Sequence, residues 1–353
     1  MTMPYETWRG RRVLVTGHTG FIGGWLSLAL IRAGAQVHGF ALAPPTEPSL
    51  FACGRLSELL ASDERGDIRD ARALAAVMRG AAPDAVFHLA AQPLVRRAWA
   101  EPADTIDVNV MGTVRVLDAI RACPSVDRAV IMTTDKVYAN REWVWPYREA
   151  DRLGGSEPYG AGKAAAELIT GAFRSSYFTA AGACRIATVR AGNVIGGGDW
   201  AADRLVPDAM RAFSAGTALV VRRPAAVRPW QHVIDVVSGL LLVGASLETA
   251  APDDGCCWNI APPLDEQVPV GDLVAALARH WGEGAAWRNE GDGGPEEAGL
   301  LRLDASKAKT ELGWTPRVDL ATSLAMTGAW YRAFYERRDM RDISCAQIEE
   351  ILA

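Results

Sequence analysis

Tyr159 and Lys163 stand four residues apart in the run Tyr159-Gly160-Ala161-Gly162-Lys163. On a helix that spacing puts both side chains on one face. A phenol with its ordinary pKa of about 10 is a poor base at neutral pH. A neighbouring lysine cation favours the phenolate and brings it toward the range useful for general acid–base chemistry. The pair therefore reads as a proton-transfer couple rather than a surface tyrosine and a solvated lysine. A second reactive group is Thr134-Asp135-Lys136, which follows the apolar run 128–132 and Thr133. A hydroxyl, a carboxyl and an ammonium in succession suit proton delivery to a leaving group and stabilisation of developing charge. In a neutral setting Thr134 and Asp135 would only cap a turn.

A third signal is Thr16-Gly17-His18-Thr19-Gly20-Phe21-Ile22-Gly23, spaced G-x-x-G-x-x-G between a strand and a helix. Such glycines permit a tight turn, close approach of backbone to a pyrophosphate, and close helix–strand packing. The helix N-terminus then offers free N–H groups and a favourable dipole. With a dinucleotide in that loop, Tyr159 becomes the proton mover of a nicotinamide enzyme. A positive nicotinamide ring would favour its phenolate further.

These residues need a scaffold that brings them together. Strand signals at 13–15, 36–40, 85–89, 128–132 and 185–189 alternate with helix signals at 21–33, 71–79, 108–122 and 161–173. This rhythm predicts an α/β fold with a Rossmann-type doubly wound parallel sheet, whose ligands sit at the strand C-termini. After about Gly192 the rhythm breaks. A glycine run at 196–198 and scattered prolines suggest a smaller C-terminal substrate-binding domain. The expected division is 9–193 for the dinucleotide, with 231–257 returning to it, and 194–230 with 258–340 for the substrate. Residues 233–247 read as the returning helix.

The acid that usually binds the ribose 2′-hydroxyl at the end of the second strand is replaced by Ala41. The next arginine along the chain is Arg55, so NAD is favoured over NADP. Asp67-Ile68 precedes a helix and reads either as an adenine clamp or as a turn or cap.

Bulk properties exclude other classes. The 353 residues are 49% apolar and 22% charged, ordinary for a globular chain with a sizeable core. A net charge of −5 leaves no basic footprint for nucleic acid. No signal-peptide pattern and no membrane-spanning apolar run are readable, so a cytoplasmic location away from membranes is expected. The cysteines, Cys53, Cys123, Cys184, Cys256, Cys257 and Cys345, form no metal-ligand spacing and read as free thiols.

The motifs together resemble the extended short-chain dehydrogenases that act on sugar nucleotides, and among these the CDP-glucose 4,6-dehydratase family. The resemblance runs through Thr16 to Gly23, His88 to Arg96 (HLAAQPLVR), Asn109 to Thr113 (NVMGT), Thr134 to Val137 (TDKV) and Tyr159 to Lys163. It continues through Arg190 to Trp200 (RAGNVIGGGDW), Arg228 to Val233 (RPWQHV) and Ser306 to Trp314 (SKAKTELGW). It implies oxidation at sugar C4, loss of water across C5 and C6, and hydride return to C6. Thr134 would bind the sugar O4, Tyr159 take its proton and Asp135 protonate the departing C6 hydroxyl. Related dTDP-glucose enzymes carry a glutamate base where Lys136 stands, so Lys136 acts either as a neutral base or as a cation on the enolate. By the same resemblance Gly17, Thr19, Gly20, Phe21, Ile22, Gly23, Asp67, Ile68, Leu89, Ala90, Ala91, Thr133, Tyr159 and Lys163 would hold the cofactor. Gln92, Asn193, Arg204 and Arg228 would hold the substrate. No metal is implied. Ile22 departs from a lysine in close relatives, and the stretch 294–300 lacks their histidines and tyrosine near the nucleotide or sugar. A homodimer is implied, packed on the helices near Asn109 and Lys163, with Val110, Val114 and Leu117 as its apolar face. An epimerase or 4-keto reductase of the same superfamily, a 4,6-dehydratase for another nucleotide sugar, and a non-catalytic dinucleotide sensor are the alternatives. The intact Tyr159–Lys163 pair argues against the sensor.

Overall fold

The structure, a computed structural model, describes residues 5–180, 182–249, 256–289, 291 and 299–352. Seven strands form its central sheet: β1 (Arg12–Thr16), β2 (Gln36–Ala41), β3 (Ser62–Arg65), β4 (Ala85–His88), β5 (Arg128–Met132), β6 (Arg185–Ala191) and β7 (Cys257–Ile260). Their order is β7-β6-β5-β4-β1-β2-β3, and every pair is parallel. The inner strands are apolar without alternation because helices cover both faces; Val13, Leu14 and Val15 are fully buried. The chain reverses direction of travel between β1 and β4. That switch point opens a crevice at the C-terminal strand ends.

Two edge strands are absent from the sequence reading. The polar β3 (SDER) has no apolar run because it is half exposed at the edge. β7 pairs with β6 from Cys257 to Ile260, so the sheet runs past residue 257 into the stretch assigned to the substrate domain.

The expected helix at 108–122 is longer and interrupted. It starts at Pro102–Ile106, passes through a π-helical turn at Asp107–Met111, and continues as Gly112–Arg121. The π turn places Asn109 against the loop after β4. Its amide exchanges two hydrogen bonds with the backbone of Gln92, accepting from N at 2.8 Å and donating to O at 3.0 Å. The helix bearing Tyr159 begins three residues before the expected start, at Pro158, and ends at Tyr177. Pro158 suits the first turn, and the Glu157 carboxylate caps it by accepting from the N–H groups of Tyr159 and Gly160, both at 2.7 Å.

The apolar helix Val233–Ser246 lies buried against the sheet. The second half adds two short parallel strand pairs, Asn193–Ile195 with Trp230–His232 and Ala218–Val221 with Ala286–Asn289. The glycine run is clasped by the helix Leu320–Tyr335. A Cβ on Gly197 would sit 2.0 Å from the Trp330 ring. Trp200 packs edge-on against Trp330, Tyr331 and Phe334.

Candidate active site

The glycine loop has the shape its spacing predicts. Gly17 adopts φ +78°, and a Cβ there would lie 2.7 Å from the Ala90 nitrogen. A Cβ on Gly23 would lie 2.1 Å from the Gly17 carbonyl oxygen. The loop thus brings backbone against the segment Leu89-Ala90-Ala91 after β4, and it feeds the helix Phe21–Arg32, whose N-cap Gly20 offers no side-chain acceptor. Free backbone donors at such a helix start fit a pyrophosphate. Thr19 is tied down, its hydroxyl donating to the Leu42 carbonyl at 3.0 Å. Gly23→Ala is expected to abolish nucleotide retention, because its methyl collides with the loop backbone. Nucleotide released on denaturing the purified variant measures this, and wild-type content would contradict it.

At the adenosine end Asp67 accepts from the Arg69 N–H at 2.8 Å, the turn alternative of the sequence reading. Both Asp67 oxygens hold Arg69, at 2.7–3.0 Å, and Arg69 also reaches Asp104. The hydrogen bond from Arg69 holds the Asp67 carboxyl below its usual range. The helix cap is Asp70, which accepts from the N–H groups of Arg72 and Ala73. The Ile68 side chain is buried in the core. Finally, Arg65 stands at the end of β2, because β3 lies beside it with Arg65 in register with Ala41. Along the chain the first arginine after Ala41 is Arg55, too distant in sequence to be expected here, and it pairs with Asp339.

Beyond the loop opens a cleft of about 390 Å³. Ile22, Leu89, Ala91, Thr133, Thr134, Asp135, Lys136, Tyr159, Lys163, Asn193, Arg204 and Arg228 all line it. Residues from β4, β5, the tyrosine helix and the segment after β6 thus meet in one place. Burial pushes the Tyr159 phenol up to about 12, against hydrogen bonding by Thr134 and the positive charge of Arg204. Burial pushes Lys163 down to about 8, against the attraction of Glu167. Lys163 donates to the Met132 carbonyl at 3.1 Å, at the C-terminal end of β5. A cation that acts on the phenol is Arg204, a role the sequence reading had not given it. Arg204 is itself paired with Asp199 at 3.0 Å.

Asp135 is buried. Its Oδ1 accepts from the Thr134 hydroxyl at 2.9 Å, and its Oδ2 has no partner among the described residues. Burial raises its pKa, opposed by Lys136, Thr134 and Arg228. A carboxyl whose pKa is raised by burial holds its proton more readily than an ordinary aspartate, which suits a proton donor. Arg228 is buried and donates to the Val227 carbonyl at 2.9 Å.

One expected contact residue turns away, and the hydroxyl of another is engaged outside the cleft. Gln92 does not line the cleft: its amide donates to Thr105 and Leu94 and accepts from the Leu94 nitrogen. The Thr133 hydroxyl donates to Glu167 at 2.5 Å and faces the Val189 carbonyl. Glu167 is a residue the sequence reading missed. It is buried and accepts from Thr133, Thr188 and Arg190. Its position four residues after Lys163, on the same helix face, was the available signal. The ion pairs of Asp203 with Arg96 and Arg222 at the cleft also went unread. Of the stretch 294–300, residues 294–298 lie outside the described residues, while Gly299 donates to Glu142 and Leu300 accepts from Asn140. Among the described residues there is no metal-binding cluster, and no helix is long and apolar enough to cross a membrane.

A doubly wound sheet with a phosphate loop at one end of its crevice and a buried tyrosine, lysine and carboxyl at the other defines an extended short-chain dehydrogenase acting on nucleotide sugars. The chain belongs to the family described as GDP-mannose 4,6 dehydratase, which matches residues 14–327. It is 44% identical to CDP-glucose 4,6-dehydratase of Salmonella typhimurium over 98% of this chain and 97% of the relative. It is 30% identical to dTDP-glucose 4,6-dehydratase of Streptomyces griseus over 90% and 93%. Among solved structures, UDP-glucose-4-epimerase from Stenotrophomonas maltophila with bound NAD and formylated UDP-arabinopyranose is similar with a TM-score of 0.79. That match has 25% identity and covers 93% of this chain and 99% of the other.

Proposed function

We propose that this protein is an NAD-dependent dehydratase that converts CDP-D-glucose to CDP-4-keto-6-deoxy-D-glucose. The carrying observation is the buried Asp135 carboxyl in the same cleft as Tyr159. C4 epimerisation or reduction needs no acid to expel a hydroxyl, whereas dehydration does. The 44% identity to a CDP-glucose enzyme supports the nucleotide and the sugar.

The nicotinamide of NAD, when bound, supplies the hydride acceptor for C4 and the donor for C6. Residues 9–193 and 231–257, extended by β7, form the dinucleotide domain in this reading. Gly17, Thr19, Gly20, Phe21, Ile22 and Gly23 hold the pyrophosphate end. Leu89, Ala90, Ala91 and Lys163 line the path to the reacting centre. The NAD-bound neighbour supports NAD as the dinucleotide. Residues 194–230 and 258–340, less β7, take the nucleotide sugar, with Asn193, Arg204 and Arg228 facing its diphosphate. Thr134 binds O4 and Tyr159 takes the O4 proton. The 4-keto group acidifies C5–H, and Lys136 is the group assigned to C5. Asp135 delivers the proton that lets the C6 hydroxyl leave as water.

The reading also includes a homodimer through the helices near Asn109 and Lys163. Leu117 is buried in the core and takes no part. Ile106, Met111, Leu168 and Tyr177 are exposed large hydrophobic side chains on these helices, at 38%, 41%, 64% and 54%.

Incubation with CDP-glucose should give a sugar lighter by one water. An unchanged mass, with another nucleotide sugar dehydrated instead, would overturn the CDP assignment. A product isomeric with the substrate would favour the epimerase.

A further inference from the structure

The adenosine end of the phosphate loop lacks the carboxylate that excludes a 2′-phosphate and carries a guanidinium in its neighbourhood. Position 41, at the end of β2, is a buried alanine, and Leu42 beyond it is 60% exposed. The Leu42 carbonyl accepts from two side chains. One is Thr19 of the phosphate loop, at 3.0 Å, and the other is Arg65 of β3, at 3.2 Å. The shared acceptor places the Arg65 guanidinium beside the loop, on the strand edge where a ribose is read in doubly wound sheets. Its plane is steadied by Phe51, whose ring centroid lies 4.7 Å from Cζ. Asp63 holds one of its nitrogens at 2.8 Å and spends its other oxygen on His18, also at 2.8 Å. A guanidinium has five N–H donors in a planar fork, so donors remain beyond Leu42 and Asp63. The Arg65 side chain is 37% exposed, and a phosphate can reach it from solvent.

Resting on the dinucleotide reading above, we propose that Arg65 makes this end of the site permissive to a 2′-phosphate, so that the protein binds NADP alongside NAD. A fixed carboxylate at this place would repel the added phosphate charge. Here the nearby carboxylate, Asp63, is committed on both oxygens, and the outward group is a cation. Arginine suits phosphate oxygens through paired, charge-assisted hydrogen bonds.

A competition measures this directly. Purified protein is exchanged to equilibrium against an equimolar excess of NAD and NADP, freed of unbound nucleotide and denatured, and the released dinucleotides are quantified. The wild type should retain NADP at no less than about one-tenth of NAD. Arg65→Ala and Arg65→Gln should each lower the NADP-to-NAD ratio about tenfold or more while NAD retention stays at the wild-type level. Gln keeps a donor for Leu42 without the charge, so a loss confined to Ala would assign Arg65 to loop structure and overturn the proposal. A ratio unchanged in both variants would overturn it as well. Retention of neither nucleotide by the wild type would overturn the dinucleotide reading and this inference with it. A wild type that holds NAD and excludes NADP would overturn this inference alone.

Discussion

Tyr159→Phe is expected to lower turnover of CDP-glucose by about 10²–10⁴-fold, the usual range for losing a general acid–base group. The substitution removes one hydroxyl and keeps the ring that packs in the cleft, so cofactor retention and thermal stability should stay close to wild type. The pH profile separates chemistry from packing. Burial holds the Tyr159 phenol at about 12. In the protein alone the basic form is therefore scarce at neutral pH, and its share grows as pH rises. Wild-type activity should climb into the alkaline range, and the residual activity of the variant should not. Lys163, pushed down to about 8, loses its charge over the same range and sets the upper limit of that climb. Full turnover by Tyr159→Phe would exclude the phenol from proton transfer.

Asp135→Asn is expected to separate oxidation from dehydration. Asparagine matches the carboxyl in shape, and its oxygen can still accept from Thr134. It has no proton to give to the departing hydroxyl. The variant should convert about one equivalent of substrate per enzyme to a sugar lighter by two hydrogens, and water loss should fall about 10²–10⁴-fold. Mass spectrometry of a single turnover reads both quantities. In deuterated water the C5 position should still exchange, because the 4-keto group forms and acidifies it. Dehydration at the wild-type rate would assign the C6 proton to another group. A variant unable to oxidise C4 would show that Asp135 orders Thr134 and Tyr159 rather than acting at C6.

Much of this site is visible in local sequence because its parts obey short-range rules. The glycine spacing, the four-residue separation of Tyr159 and Lys163, and the reactive triplet after an apolar strand each lie within one turn or one loop. The alternating apolar runs also show the inner sheet. What escaped depends on distance in space. Arg65 reaches the end of β2 through strand pairing, across twenty-three residues of chain from Leu42. β3 escaped as a polar edge strand, and β7 because its apolar run is only four residues long and is broken by Asn259. Glu167 looks like an ordinary helix-surface glutamate until the structure shows Thr133, Thr188 and Arg190 converging on it. Gln92 shows the opposite error. Its place in a specific motif pointed to substrate, yet its amide secures the loop after β4.

The clasp between the glycine run and Trp330 bears on how the enzyme is made. Synthesis proceeds from the N-terminus, and early domains fold as they emerge. By residue 228 a nascent chain already carries Tyr159, Lys163, Asp135 and every cleft-lining residue expected to hold substrate. Gly197 still lacks the ring it packs against, and the Asp199 carbonyl still lacks the hydroxyl of Tyr331. Ribosomes therefore display the chemistry well before they release the support of the loop that frames it. Chains cut short before Trp330 and Tyr331 should therefore retain the proton-transfer groups while lacking this support of the glycine run.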